Sequence, residues 1–168
     1  EIMPSLVGSE MCIRDSNTML GYYKNQEATE QIFDADGWLH TGDMAVINPE
    51  GDVYIKGRCK NMLLSASGQN IYPEEIESRL NNLPYVNESL VIMYNEKLVA
   101  LVYPDLGESL KDGLDDHALW RQIDISRQEL NKELPPYSQI TKVVLQNEEF
   151  EKTAKKSIKR YLYQNMNP

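Results

Sequence analysis

The chain has 168 residues, 41% hydrophobic and 26% charged, a composition typical of one or two small globular domains. Its formal net charge of −9 disfavours binding to nucleic acids through the whole surface, and no apolar run approaches the ~20 residues of a membrane span. Two cysteines and two histidines are too few for a disulfide framework or a four-ligand zinc site. We therefore expect no metal site within this chain and a reducing, cytoplasmic setting.

The first part of the chain is predicted to be irregular and then to form a hairpin. Residues 1–16 show neither helical nor strand periodicity, and the chain starts on Glu rather than Met, which is typical of a fragment. A short helix is predicted over 27–33. Two strands over 44–48 and 52–56 then reverse at Pro-Glu-Gly, where glycine can take a left-handed conformation.

The rest of the chain mixes helices and strands. The predicted segments, in order, are a helix starting at Pro73, strands over 88–93 and 98–103, a polar loop over 107–113, a long helix over 115–133, a strand over 142–145 and a last short helix over 157–164. Because strict βαβ alternation is missing, we predict an α+β fold. A domain boundary is expected near 58–61, where Gly-Arg-Cys-Lys-Asn interrupts the strand pattern.

Two segments of the first part carry polar groups suited to a nucleotide. Asp43 follows Thr41-Gly42 at a predicted turn just before a strand, and its two oxygens could accept from two vicinal ribose hydroxyls. The alternative, a turn cap, is the commoner role of such an Asp. Arg58 is a fork-shaped donor for phosphate or ribose oxygens, although a solvated strand end is the commoner role of such an Arg taken alone.

Two further segments could face a ligand. The loop over 65–71 is rich in small residues, and its backbone N–H groups could cradle phosphate or line a narrow tunnel, but it lacks Walker spacing and could be a plain connection. The run over 151–160 has five cations in ten residues. It could place an ammonium against a carboxylate and a phosphate during acyl transfer, or it could be the basic end of a surface helix.

In this order, the segments resemble motifs of the adenylate-forming enzymes, specifically the acyl-CoA synthetases. Residues 21–25, 28–29 and 36–43 resemble the seventh conserved motif of that family, residues 57–61, 67–71 and 73–77 the eighth, and residues 152–160 the tenth. The resemblance covers residues 17–168. The Glu-Lys-Thr and Asn-Ile-Tyr-Pro segments look most like those of long-chain fatty acid–CoA ligases.

The resemblance implies a fold and an activity. Residues 60–168 would be the small mobile C-terminal domain, residues 17–59 the last β-hairpin segment of a large N-terminal domain, and residues 1–16 non-native junction sequence. The parent enzyme would use ATP and Mg²⁺ to form acyl-AMP from a fatty acid, and CoA would then displace AMP to give acyl-CoA. Such an enzyme could touch a membrane peripherally, and no nucleic-acid partner is expected.

The resemblance also implies residue roles. Asp43, with Thr41 beside it, would hold the ribose hydroxyls, Arg58 would contact ribose or phosphate, and Lys60 would be the hinge between the domains. The CoA tunnel would be lined by the glycine loop, at Ser67, Gly68 and Gln69.

One position departs from the family pattern. The family has a catalytic lysine immediately before the Ile of the tenth motif, and this chain has Ser157 there, with Lys156 one residue earlier. Either Lys156 substitutes for that lysine, or the adenylation step is slowed.

We expect the chain alone to be inactive, because the family site is built between two domains and the large N-terminal domain is missing. Two other functions stay open. The parent could be an adenylation domain that charges a carrier-protein thiol, or the chain could be a non-catalytic module that binds acyl-AMP or CoA.

Overall fold

The computed structural model describes residues 9–164 and 166, in two compact units that divide between Met62 and Leu63. Each unit combines helices with a sheet, which confirms the predicted α+β class. Within the described residues, we find no helix with the length and apolar character that crossing a membrane requires.

The first unit is a three-stranded antiparallel sheet with one short helix. Its elements are β1 (Ser9–Ile13), α1 (Gln26–Glu30), β2 (Leu39–Ile47), β3 (Val53–Arg58) and a 3-10 turn at Cys59–Asn61. The strand order is β1-β2-β3, with β2 in the centre.

Two predictions for the first unit are wrong. The irregular structure expected over residues 1–16 is contradicted by β1, because backbone pairing with β2 needs no side-chain periodicity; residues 1–8 lie outside the described part. Asp43 also lies inside β2 rather than at a turn before it. The positive φ of Gly42, +72°, lets β2 continue through an irregular register between its pairings at His40 and Met44.

The second unit is built on a mixed sheet. Its elements are β4 (Leu63–Leu64), β5 (Asn70–Ile71), α2 (Pro73–Leu80), β6 (Val86–Tyr94), β7 (Lys97–Pro104), α3 (Leu106–Lys111), α4 (Asp116–Glu133), β8 (Ile140–Leu145) and 3-10 turns at Pro136–Ser138 and Arg160–Leu162. The strands β6 and β7 are antiparallel, and β8 pairs parallel to β7. The helix predicted at Pro73 and the long helix are both confirmed.

Both faces of this sheet are covered, which explains why β7 is apolar at successive positions. Leu98, Ala100 and Val102 belong to the main core with α2 and α4. Val99 and Leu101 belong to a second cluster that contains the buried Phe150 and, at its margin, Ile158 and Tyr163. The segment after β8 is thus packed against the second face by its apolar residues.

Two secondary-structure predictions for the second unit are wrong. The polar loop over 107–113 is helical in part, because Asp105 caps α3 by accepting from the amides of Gly107 and Glu108 at 2.9 and 3.0 Å. The helix over 157–164 is reduced to a 3-10 turn, because the backbone of Lys159 donates instead to Glu151 O at 2.8 Å.

Candidate functional site

The structure brings together the three residues of the first unit that the sequence predicts for a nucleotide. Asp43 on β2 and Arg58 on β3 are register partners, and Arg58 Nε lies 3.1 Å from Asp43 Oδ1. Arg58 Nη1 donates to the backbone oxygen of Thr41 at 3.1 Å. Asp43 and Arg58 therefore reach each other from adjacent strands, and the backbone of Thr41 orients the guanidinium.

The side chains of Asp43, Arg58 and Thr41 differ in how accessible they are to a ligand. The Arg58 side chain is 54% exposed and that of Asp43 is 23% exposed, so both can be approached from solvent. The hydroxyl of Thr41 is already engaged, since it donates to Met11 O at 2.8 Å and accepts from the Asp43 amide at 3.2 Å. Thr41 thus braces the site, and Asp43 and Arg58 carry the groups that could bind a ligand.

Lys60 lies in the 3-10 turn and is exposed, close to the division after Met62. Its role as a hinge stays a prediction. Neighbouring Cys59 is no activated nucleophile, because burial, together with the carboxylate of Glu10, raises the pKa of its thiol.

The glycine loop is the tip of the β4–β5 hairpin, and Ser67, Gly68 and Gln69 are exposed there. The amide of Gly68 donates to Ser65 O and the amide of Gln69 to Ser65 Oγ, both at 2.9 Å. The prediction that the loop's N–H groups are free for a ligand is therefore wrong for these two. Gly68 has a φ of +78°, which only glycine adopts without strain. Its place in a CoA tunnel stays a prediction.

The basic run of the second unit forms a tight hairpin. Lys152 pairs with Ile158, and the amide of Thr153 donates to Ser157 O at 2.8 Å. The amide of Lys156 donates to Thr153 O at 2.9 Å, and Lys156 has a φ of +61°. Lys156 thus occupies a left-handed turn position next to Ser157.

Three of the five cations of this run are in ion pairs. Lys152 pairs with Glu88 at 2.7 Å and with Glu149, Lys159 pairs with Glu151 at 3.0 Å, and Arg160 pairs with Glu77 and lies 3.9 Å from Glu74. Lys155 and Lys156 are exposed, and the described part of the chain gives neither of them an ion pair. They are the cations of the run that could meet an anionic ligand.

Sequence reasoning missed Glu77, the buried acid that anchors this run. Glu77 accepts from the Val91 amide at 2.7 Å and binds both terminal nitrogens of Arg160. Burial raises the pKa of Glu77, and the hydrogen bonds from Arg160 offset part of that shift. Its spacing was a usable signal, because an acid three residues before Leu80 and four after Pro73 lies on the buried stripe of α2.

The left-handed conformation of Lys156 leads to a stability prediction. Lys156→Gly should raise the free energy of unfolding by about 0.5–1 kcal/mol, because glycine adopts this conformation without the steric cost of a Cβ. Urea denaturation is the measurement, and Lys155→Gly is the matched control at an adjacent exposed lysine. A Lys156→Gly variant no more stable than the unsubstituted 168-residue chain would show that the turn is unstrained.

Comparison with known proteins identifies the family. The family model described as the AMP-binding enzyme C-terminal domain matches residues 60–166. The chain belongs to this family. The resemblance to adenylate-forming enzymes drawn from the sequence motifs is thereby confirmed.

Similar proteins are ligases and an adenylation domain. A 2-methylpropanoate–CoA ligase of Humulus lupulus is 32% identical over 157 residues, which are 94% of this chain and 27% of that protein. A long-chain-fatty-acid–CoA ligase of Escherichia coli O157:H7 is 46% identical over 88 residues, which are 52% of this chain and 15% of that protein.

A solved structure also matches the fold. The adenylation–carrier didomain of the carboxylic acid reductase of Segniliparus rugosus, in complex with AMP, has a TM-score of 0.73 and 27% identity. The match covers 86% of this chain and 21% of that one. This chain therefore spans only a small part of the proteins it resembles.

Proposed function

We propose that this chain is the C-terminal part of a longer adenylate-forming ligase, which converts a carboxylic acid to acyl-AMP and then to a CoA thioester. The observation that carries the proposal is the family match over residues 60–166. The Asp43–Arg58 pair of the first unit supports it, because it offers a carboxylate and a guanidinium at the two positions to which the resemblance assigns contacts with the ribose. The match covers only 27% and 15% of the two ligases, which supports a parent protein longer than this chain.

The residues of this chain would bind parts of the substrates and neutralise negative charge on them. The Asp43 carboxylate would accept from the ribose hydroxyls, while Arg58 holds it in place and donates to ribose or phosphate oxygens. The exposed ammonium of Lys156 would offset negative charge that develops between the acid and the α-phosphate. Exposed Ser67, Gly68 and Gln69 would line the path of the CoA thiol.

We assign no residue of this chain to Mg²⁺, which would arrive with ATP. Among the described residues, His, Cys, Asp and Glu side chains form no group of three that could hold a metal ion. For the acid, we propose a long-chain fatty acid, supported by the 46% identity to the Escherichia coli ligase. We place the parent in the cytoplasm, since both cysteines are free thiols.

ATP–pyrophosphate exchange by the parent protein tests this proposal. We expect exchange that depends on a long-chain fatty acid and exceeds the rate with 2-methylpropanoate. The 168-residue chain alone should form no acyl-CoA, because its residues supply only part of a binding site that the family builds between two domains. Acyl-CoA formation by the isolated chain would contradict the proposal. So would a parent protein that catalyses no ATP–pyrophosphate exchange with any carboxylic acid supplied.

A Ser157→Lys variant of the parent distinguishes the ligase from a binding module. If Lys156 supplies the charge, exchange is normal in the native protein and Ser157→Lys changes it less than about threefold. Exchange that appears only with Ser157→Lys would mean that the native protein binds acyl-AMP or CoA without forming acyl-AMP.

A carrier-protein thiol is the second candidate acceptor, favoured by the resemblance to an adenylation–carrier didomain. Thioester formation on free CoA by the purified parent supports the CoA ligase. Thioester formation only on a carrier protein supports the alternative.

A further inference from the structure

The turn that carries Lys155 and Lys156 is anchored on both sides. On the side before the turn, Lys152 Nζ lies 2.7 Å from Glu88 Oε1, on β6. On the side after it, Ile158 packs at the margin of the second core cluster. The base of the hairpin is therefore fixed to the sheet by the Lys152–Glu88 ion pair and by the apolar packing of Ile158, beside the Arg160–Glu77 pair that binds the following residues to α2.

Lys152 and Glu88 depend strongly on each other. The Lys152 side chain is 24% exposed and that of Glu88 is 25% exposed, so both are largely withdrawn from water. Within the described residues, the second carboxylate oxygen of Glu88 is buried and has no hydrogen-bond partner. Lys152 thus supplies most of the compensation for the charge of Glu88.

The same geometry removes Lys152 from direct chemistry. Its ammonium lies between Glu88 and the exposed Glu149, and these two carboxylates raise its pKa. A positive charge held by two acids is a weak partner for a third anion. Lys155 and Lys156, exposed on the turn, have no such neutralisation in the described structure.

We propose that Lys152 is a positioning residue. Through Glu88 it fixes the turn over residues 153–157, and Lys155 and Lys156 on that turn present the positive charge to the acyl phosphate. This inference rests on the proposed function for the role of the turn, whereas the anchoring itself can be measured in the 168-residue chain.

Amide hydrogen exchange tests the anchoring. In Lys152→Met and in Glu88→Gln, the amides of Thr153 and Lys156 should exchange roughly tenfold faster or more, because their hydrogen bonds lose the anchored base of the hairpin. The amide of Leu101, in the centre of β7, reports whether the whole unit has been destabilised.

The exposed Glu149 provides the control. Glu149→Gln removes the outer carboxylate and should leave the turn amides within about twofold of the native chain, since exposed ion pairs contribute little. Unchanged turn amides in Lys152→Met, or acceleration no greater than that of Leu101, would overturn the anchoring.

Kinetics of the parent test whether Lys152 acts through Glu88. Lys152→Met and Glu88→Gln should each lower kcat of ATP–pyrophosphate exchange roughly ten- to hundredfold, because a displaced turn misplaces its lysines. The double variant should be no slower than the slower single one, and Lys152→Arg should recover most of the rate.

Two results would overturn the positioning role. Normal exchange in Glu88→Gln beside a large loss in Lys152→Met would mean that Lys152 touches the substrate itself. A double variant with the product of both losses would mean independent roles. A native parent that catalyses no ATP–pyrophosphate exchange contradicts the proposed function instead. In that case the amide hydrogen-exchange measurements on the 168-residue chain still decide whether Lys152 and Glu88 anchor the turn.

Discussion

Arg160→Ala is expected to lower the free energy of unfolding of the second unit by about 3 kcal/mol. The substitution leaves the buried carboxylate of Glu77 without the guanidinium that binds both its oxygens. It also detaches the segment around Arg160 from α2 and β6. Glu77, on α2, links these two elements because it accepts from the amide of Val91 on β6. Urea denaturation in a Trp38→Phe background measures the effect, since Trp120 of the second unit then reports alone.

Lys159→Ala is the matched control for Arg160→Ala. Lys159 lies one residue away and pairs with Glu151, whose side chain is 65% exposed, so its loss should cost less than about 1 kcal/mol. Replacing both Glu77 and Arg160 with methionine should recover much of the loss, because the buried charge of Glu77 is then removed together with its partner. Equal effects of Arg160→Ala and Lys159→Ala would show that the Glu77 pair does not hold the chain end.

Asp43→Ala in the parent protein is expected to weaken the binding of AMP by at least about 100-fold. A carboxylate that accepts from two ribose hydroxyls makes two charge-assisted hydrogen bonds, each worth about 1.5–3 kcal/mol. The substitution also frees Arg58 from its carboxylate partner. Isothermal titration of AMP into the purified parent gives the dissociation constant.

Asp52→Ala serves as the control for nucleotide binding. Asp52 is an exposed acid next to β3 and interacts locally with Asn48, so its replacement removes a negative charge without touching the Asp43–Arg58 pair. It should change AMP affinity less than about twofold. Equal affinity of Asp43→Ala and the native parent would exclude the ribose-binding role.

The sequence allowed the long elements and the chemistry-bearing segments to be predicted, because both depend on local patterns. The apolar stripe and proline of α2 predicted its start at Pro73, and two apolar runs separated by a polar turn predicted β6 and β7. The order of the motif segments along the chain, from residues 21–43 through 57–77 to 152–160, indicated the family.

What could not be predicted depends on contacts between distant segments. The pairing of β1 with β2 rests on backbone hydrogen bonds that leave no side-chain pattern. The ion pair between Glu77 and Arg160 joins positions 83 residues apart. The reduction of the expected last helix to a 3-10 turn likewise follows from the hydrogen bond that the Lys159 amide donates to Glu151 O.

The basic run shows why a local pattern can mislead about chemistry. The sequence shows five cations in ten residues, and the resemblance pointed to Lys156 for the acyl-phosphate contact without showing which of the other four are neutralised. In the fold, carboxylates from α2 and β6 and from the segment after β8 hold three of them, and the exposed turn retains two. Such a division depends on tertiary structure.

A crystal structure of the parent protein bound to AMP tests the nucleotide-binding role of this chain most directly. We expect the carboxylate oxygens of Asp43 within about 3 Å of both ribose hydroxyls, with Arg58 still beside that carboxylate. AMP bound in the parent with no contact between its ribose and Asp43 would contradict the role.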